Sequence, residues 1–121
     1  MLPAARTKRA AVLTIGRDEG DGDMAGYQAR MPARPTVISD DALMRVTQWD
    51  FAPGAHTGHH VHGLGYIVVP MTDCRFRIED AEGVREFDVA KGAVYRRDAG
   101  VEHDVINAGD APMSFIEIEL K

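Results

Sequence analysis

Histidine is concentrated in two short windows of this 121-residue chain. Four of the five histidines lie between His56 and His62, and the fifth is His103. Imidazole is the commonest protein ligand of transition metals. Because alternate residues of a β-strand point to the same face, His60 and His62 can present two ring nitrogens to one side of a sheet. With a third ligand from a distant strand, this pattern indicates a metal site.

The spacing of the histidines leaves two interpretations open. In the first, His60, His62 and His103 ligate a transition metal. In the second, they are hydrogen-bonded or solvent-facing histidines of ordinary strands. His56 has the same parity, but four strand residues span about 13 Å, so we expect it at a cavity mouth or on the surface unless the chain bends. His59 has the opposite parity and is expected outside.

Short strands separated by turn residues must position these histidines. From residue 35 onward, Gly, Pro, Asn and Asp recur between short apolar runs, as is typical of tight reversals. Strands are predicted at residues 36–39, 42–51, 58–62, 66–70, 75–79, 84–89, 93–97, 102–106 and 113–120. The last one alternates, with Phe115, Glu117 and Glu119 on one face and aliphatic residues on the other. No segment carries a helical apolar stripe, so the sequence predicts an all-β sandwich or barrel.

The N-terminal third is predicted to be an arm over residues 1–34, partly flexible, with the barrel domain at residues 35–121. Residues 16–26 are glycine-rich and acidic and have little to bury, which is typical of a loop. Residues 11–15, Ala-Val-Leu-Thr-Ile, can form a short strand. Isolated by such a loop, this strand is expected to pair with a second subunit.

Composition limits the partners and the compartment. The net charge is −5 and the basic residues are dispersed, which argues against nucleic acid as the main partner. No apolar run approaches the roughly 20 residues needed to span a bilayer, so no membrane association is expected. The basic start lacks the apolar stretch of a secretory signal, and the lone Cys74 cannot form an internal disulfide. We therefore expect a cytoplasmic protein.

Two motifs resemble those of the small single-domain cupins. Gly54, five residues and then His60-Val61-His62 resemble the first half of the first cupin motif. The second motif is glycine, five residues, Pro-x-Gly, two residues, histidine, three residues and asparagine. The matching residues here are Gly92, Asp98 in place of the proline, Gly100, His103 and Asn107. Two independent motifs in the right order make the resemblance specific.

The resemblance implies a double-stranded β-helix, a jelly-roll barrel that is usually dimeric, with a metal site inside. It implies that His60 and His62 come from one strand, that His103 comes from a neighbouring strand, and that Asn107 supports the latter. In the family, the first motif continues with a glutamate at the position that Tyr66 or Ile67 occupies here, and neither residue is acidic. The expected ligand set is therefore three histidines without the carboxylate. Such a neutral set suits Zn, Ni, Fe or Cu.

Two functions are compatible with this site. The first is a metal-dependent enzyme on a small organic molecule, which the resemblance extends to dioxygenase-, isomerase- or lyase-type reactions. The second is a non-catalytic cupin that binds a small ligand or serves for dimerisation, with a degenerate metal site. With no Asp or Glu evident beside the histidines, proton transfer would need Tyr66 or a metal-activated water as the base.

Three further residues are candidates for substrate binding. Arg96 can hold a carboxylate in a bidentate contact if it points into the barrel, although a surface arginine is equally expected. Trp49 can stack on a substrate or pack in the core, and His56 can lie at the cavity mouth. Tyr66 remains the candidate catalytic residue.

Overall fold

Nine β-strands make up the computed structural model of this protein, which describes residues 30–121. They are β1 (Arg34–Asp40), β2 (Met44–Phe51), β3 (His60–Val61), β4 (Tyr66–Pro70), β5 (Cys74–Asp80), β6 (Gly83–Val89), β7 (Tyr95–Arg97), β8 (Glu102–Asn107) and β9 (Met113–Leu120). In this described range, no helix is long and apolar enough to cross a membrane.

The strands predicted from residue 35 onward are all present, and β4 and β9 begin and end at the predicted residues. The largest difference is at residues 58–62, where the strand is reduced to His60–Val61. Gly58 adopts a φ of 86°, which lies outside the extended region and bends the chain before the histidines. The predicted strand at residues 11–15 lies outside the described residues.

The strands form two sheets that face each other. One has five strands in the order β1-β2-β9-β4-β7, and the other has four in the order β3-β8-β5-β6. Aromatic rings fill the space between them, with Phe115 5.5 Å from Phe51 and 5.7 Å from Phe76, measured between ring centroids. This architecture confirms the predicted all-β fold, a double-stranded β-helix.

Strand β9 turns its charged face inward. Phe115, Glu117 and Glu119 are buried, whereas Ile116 and Ile118 lie on the opposite face and are partly exposed. Burying carboxylates is unfavourable unless they find partners, so this orientation opposes simple hydrophobic sorting. Both glutamates therefore lie inside the barrel, where they can take part in a functional site.

Residues 30–34, which the sequence assigned to the arm, lie on the barrel. The backbone N–H of Ala33 donates to the carbonyl of His56 at 2.8 Å. The guanidinium of Arg30 binds the Glu79 carboxylate through two hydrogen bonds of 2.7 and 2.9 Å and also contacts Asp104 at 3.4 Å. This segment lacks an alternating apolar pattern, and an ion pair, backbone hydrogen bonds and the buried side chain of Ala33 hold it on the barrel.

The Arg30–Glu79 pair predicts a pH-dependent contribution to stability. Hydrogen bonds from Arg30, and then from Arg77, lower the pKa of Glu79 from 4.5 to about 2. A carboxyl group whose pKa is lower in the folded state stabilises the fold at pH values above its unfolded-state pKa. This contribution is lost as the pH falls from about 4.5 to about 2. We expect Glu79→Gln to reduce the free energy of unfolding by about 1–2 kcal/mol at pH 7, after solvent screening. Urea unfolding at several pH values measures this difference.

Glu86→Gln is the matched control, because its more exposed carboxylate contacts Arg75 and Arg77 across the same sheet. It should change stability by at most a few tenths of a kcal/mol. A loss in Glu79→Gln that persists unchanged near pH 2 would contradict the electrostatic explanation.

Candidate metal centre

Strand pairing brings the three motif histidines together. In the antiparallel ladder between β3 and β8, His60 lies directly opposite His103. The chain continues this ladder past β3, because the N–H of His62 donates to the carbonyl of Val101 and the N–H of Gly100 donates to the carbonyl of His62. His62 thus remains on the face of His60. All three rings are buried inside the barrel.

The ring nitrogens converge on one point. His62 Nε2 lies 2.9 Å from His60 Nε2 and 3.2 Å from His103 Nε2. Nitrogens bonded to a single ion at about 2.0–2.1 Å lie roughly 2.9–3.4 Å apart. The spacing therefore fits three ligands of one transition metal.

The contacts of His60 also suit metal ligation. Its Nδ1 lies 2.8 Å from the carbonyl oxygen of Gly58, and a carbonyl can only accept a hydrogen bond. The ring proton is therefore assigned to Nδ1, which leaves the lone pair of Nε2 directed at the other two rings. The bend at Gly58 is what brings this carbonyl within reach of the ring.

Burial keeps the other two rings neutral. Burial, and then the nearby His60 ring, lowers the pKa of His62 to about 3 and that of His103 to about 2. Neutral imidazole is the form that binds a metal ion. At neutral pH these two histidines therefore need no deprotonation before they can act as ligands.

Tyr66 packs against the centre. Its ring stacks on His62 with 3.9 Å between centroids and an interplanar angle of 19°. Burial, and then the charge of Glu117, raises the pKa of the phenol well above its usual range. A phenol that keeps its proton at neutral pH is a hydrogen-bond donor, which argues against Tyr66 as the base.

A carboxylate that sequence reasoning missed lies behind His62. Glu117 Oε2 is 3.9 Å from His62 Nδ1, and Trp49 interacts with the same carboxylate and opposes the rise of its pKa. Burial, and then the charge of Glu119, raises the pKa of Glu117 to about 7. The expectation that no acidic residue lies beside the histidines is therefore wrong. Alternation in the last strand was the available signal, but it does not reveal which face is inside.

Arg97, and not Arg96, lines the cavity. Tyr95 and Arg97 share the inner face of β7 and border the cavity, with the guanidinium of Arg97 5.8 Å from the centre of the Tyr95 ring. Arg96 alternates with them, and its side chain is 67% exposed. The predicted carboxylate contact from Arg96 into the barrel is therefore not available in this structure. Trp49, in contrast, does line the cavity.

The remaining histidines lie outside the centre. His56 Nδ1 contacts the Asp104 carboxylate at 2.8 Å, and the N–H of Gly58 donates to the same side chain at 3.1 Å. His59 Nε2 contacts Glu102 at 2.7 Å on the surface. His56 therefore helps to hold the loop before β3, and the structure does not place it among the residues that border the cavity.

Asn107 fastens the end of the strand that carries His103. Its side-chain amide donates to the carbonyl of Ala111 at 2.9 Å, and its side-chain oxygen accepts from the N–H of Gly109 at 2.9 Å. The side chain is almost fully buried. It closes the turn between β8 and β9, which agrees with the supporting role that the motif implied.

The fold and the three-histidine cluster define a small β-barrel protein with an internal candidate metal centre. This chain belongs to the cupin family, since the model described as cupin domain matches residues 47–119. The matched range contains the three histidines and Glu117.

Relatives of known sequence or structure agree with this assignment. The chain is 50% identical to the beta-alanine degradation protein BauB of Pseudomonas aeruginosa over 92 residues. These residues cover 76% of this chain and 97% of the relative. The crystal structure of a cupin domain from Bordetella pertussis Tohama I has a TM-score of 0.76 and 43% identity, over 78% of this chain and 99% of that one. A cupin 2 conserved barrel domain protein from Salinispora arenicola shares the fold, with a TM-score of 0.60, 21% identity and coverage of 92% and 91%.

Proposed function

We propose that this protein is a metal-dependent enzyme that binds a divalent transition metal, Zn, Ni, Fe or Cu, through His60, His62 and His103. The observation that carries this proposal is the convergence of three Nε2 atoms inside the barrel. Three protein ligands leave coordination positions open for a substrate. When bound, the metal would act as a Lewis acid that polarises a small organic molecule.

Side chains around the centre support a reaction on a small ligand. The rings of Phe76 and Phe115 line the cavity, and an apolar lining strengthens electrostatic interactions inside. The phenol of Tyr66 can donate a hydrogen bond to the ligand. Glu117 supplies a carboxylate near the centre. This carboxylate favours isomerase- and lyase-type proton transfers, which we propose alongside dioxygenation.

We propose that the substrate is a short carboxylate. Within the described part of the chain, Arg97 forms no ion pair, so its guanidinium is available to a ligand that enters the cavity. Arginine binds carboxylates through paired hydrogen bonds. The Pseudomonas aeruginosa relative is named for β-alanine degradation, and β-alanine is itself a short carboxylate. Together these observations favour β-alanine or a compound of similar size.

We further propose that two copies of the chain form a dimer through the outer face of the five-stranded sheet. The outward residues of β4 and β9 are aliphatic and partly exposed, namely Ile67, Val69, Ile116, Ile118 and Leu120. A contiguous apolar face of this kind marks an interaction site. A two-fold dimer covers it with the same face of a second copy.

Metal analysis tests the first proposal. Tag-free protein reconstituted with each of the four metals is expected to hold about one equivalent of at least one metal. His60→Ala and His103→Ala should lose it, because two imidazoles hold an ion far less tightly than three. His59→Ala, which changes a surface histidine, should retain it. Less than a tenth of an equivalent in the wild-type protein would overturn the proposal and favour a non-catalytic ligand-binding cupin.

Calorimetric titration of the metal-loaded protein tests the role of Arg97. β-Alanine and propionate are expected to bind, whereas propylamine is not, because it lacks the carboxylate. Arg97→Ala should weaken carboxylate binding about tenfold or more. Arg96→Ala removes a neighbouring arginine that points outward and should leave the affinity within about twofold. Equal losses in both variants would contradict the assignment.

Light scattering tests the dimer. Ile118 lies opposite Ile67 of β4 and Val46 of β2, at the middle of the proposed interface, so Ile118→Lys is expected to give a monomer. Val84→Lys changes an exposed residue of the other sheet and should not. A chain that begins at Arg30 tests the arm, since an unchanged dimer would refute its role in holding the subunits together.

A further inference from the structure

His62 has a buried nitrogen with no hydrogen-bond partner. Within residues 30–121, the buried side-chain polar atoms that have no hydrogen-bond partner are His62 Nδ1 and Ser114 Oγ. The imidazole of His62 is 1% exposed, so bulk water cannot satisfy it. A buried polar group without a hydrogen-bond partner destabilises the fold. A partner is therefore expected within reach of this nitrogen.

Glu117 is the acidic group aimed at this nitrogen. Its Oε2 atom lies 3.9 Å from His62 Nδ1, and a charge-assisted hydrogen bond would form after a movement of about 1 Å. The backbone at Glu117 is paired on both sides, with Thr47 of β2 and Val68 of β4. A small side-chain rotation is thus enough to close the gap without disturbing the sheet.

The existing contact of His60 shows what this bond would accomplish. The Gly58 carbonyl accepts a hydrogen bond from His60 Nδ1 and thereby leaves Nε2 free for a metal. An ionised carboxylate also only accepts, so Glu117 would place the proton of His62 on Nδ1 in the same way. The lone pair of His62 Nε2 would then face the centre beside that of His60.

We propose that Glu117 is the positioning residue of the metal centre: its carboxylate accepts the Nδ1–H of His62, fixes the ligating tautomer and places a negative charge behind that ligand. This inference rests on the proposed three-histidine metal site. Carboxylates that hold a ligating histidine orient its ring and raise its basicity. Positions 66 and 67 on β4 lack a carboxylate. Glu117 on the neighbouring strand β9 thus supplies one indirectly, through His62.

Glu119 provides an internal comparison. It lies on the same face of β9 and is equally buried, and its carboxylate is within 4.8 Å of ligand atoms of both His62 and Glu117. Two features distinguish Glu117, namely its position 3.9 Å from Nδ1 and its interaction with Trp49, which lowers the pKa of its carboxyl group. The role of Glu117 should therefore be separable from a general effect of buried negative charge.

Zinc affinity of the full-length protein, measured by competition with a chromophoric chelator, is the first test. Glu117→Gln keeps the shape and an accepting oxygen but removes the charge, and it is expected to weaken Zn²⁺ binding about 10–100-fold. Glu119→Gln should weaken it by less than about threefold. An unchanged affinity in Glu117→Gln, or an equal loss in Glu119→Gln, would overturn the positioning role while the metal site itself stands.

The Nδ1–H of His62 in the zinc-loaded protein is the second test, because a merely structural role of Glu117 would not change it. Long-range ¹⁵N–¹H NMR spectra should give a His62 Nδ1 proton far downfield in the wild type, as for a hydrogen bond to a carboxylate, and at higher field in Glu117→Ala. The Nδ1 proton of His60, which is donated to the Gly58 carbonyl, should keep its position in both proteins. A wild-type His62 proton no further downfield than that of His60 would overturn the inference, and this comparison needs no variant. A wild type that takes up no zinc would refute the metal site and this inference with it.

Discussion

The antiparallel pairing of β3 with β8 is the constraint on which the candidate metal centre depends. It sets His60 opposite His103 and, through the hydrogen bonds between His62 and residues 100 and 101, keeps His62 on the same face. A shift of one residue would turn His103 to the outside of the barrel, because the side-chain period of a strand is two. The turn at Gly100, with a φ of 99°, helps to fix this register.

A second constraint is the polar interior that faces these histidines. Glu117 and Glu119 are buried on β9, directly between β2 and β4. Buried carboxylates without counter-charges oppose folding, so their position inside the barrel indicates a function that hydrophobic residues could not supply. A cation held by the three imidazoles would offset their charge.

The fold alone does not identify the reaction, since cupin barrels support many functions. Function therefore depends on the side chains that the barrel brings together. Neutral histidines, a protonated phenol stacked on one of them and an arginine lie around one cavity, and the proposed function assigns them to metal, hydrogen-bond donor and ligand contact. A site of this composition differs from the family pattern in the source of its carboxylate, which comes from the last strand and not from the first motif.

Sequence reasoning predicted much of this protein. The turn residues and apolar runs gave nine strands, and the two motifs indicated the cupin barrel and its three histidines. These features could be predicted because local turn chemistry and a period of two are encoded along the chain. The boundary at residue 35 stays a prediction. The contact between Arg30 and Glu79 could not be predicted, because the two residues are far apart in sequence.

Only the tertiary structure decided which faces point inward. The sequence showed that Glu117 shares a face with Phe115, and that Arg96 and Arg97 face opposite ways. It could not show that the glutamates are buried inside and that Arg97 borders the cavity. Pairing between strands distant in the chain makes that choice, as when β7 sets Arg97 opposite Tyr66. Periodicity determines which residues lie together on a strand, whereas the register and packing of the sheets determine which side of the strand meets the cavity.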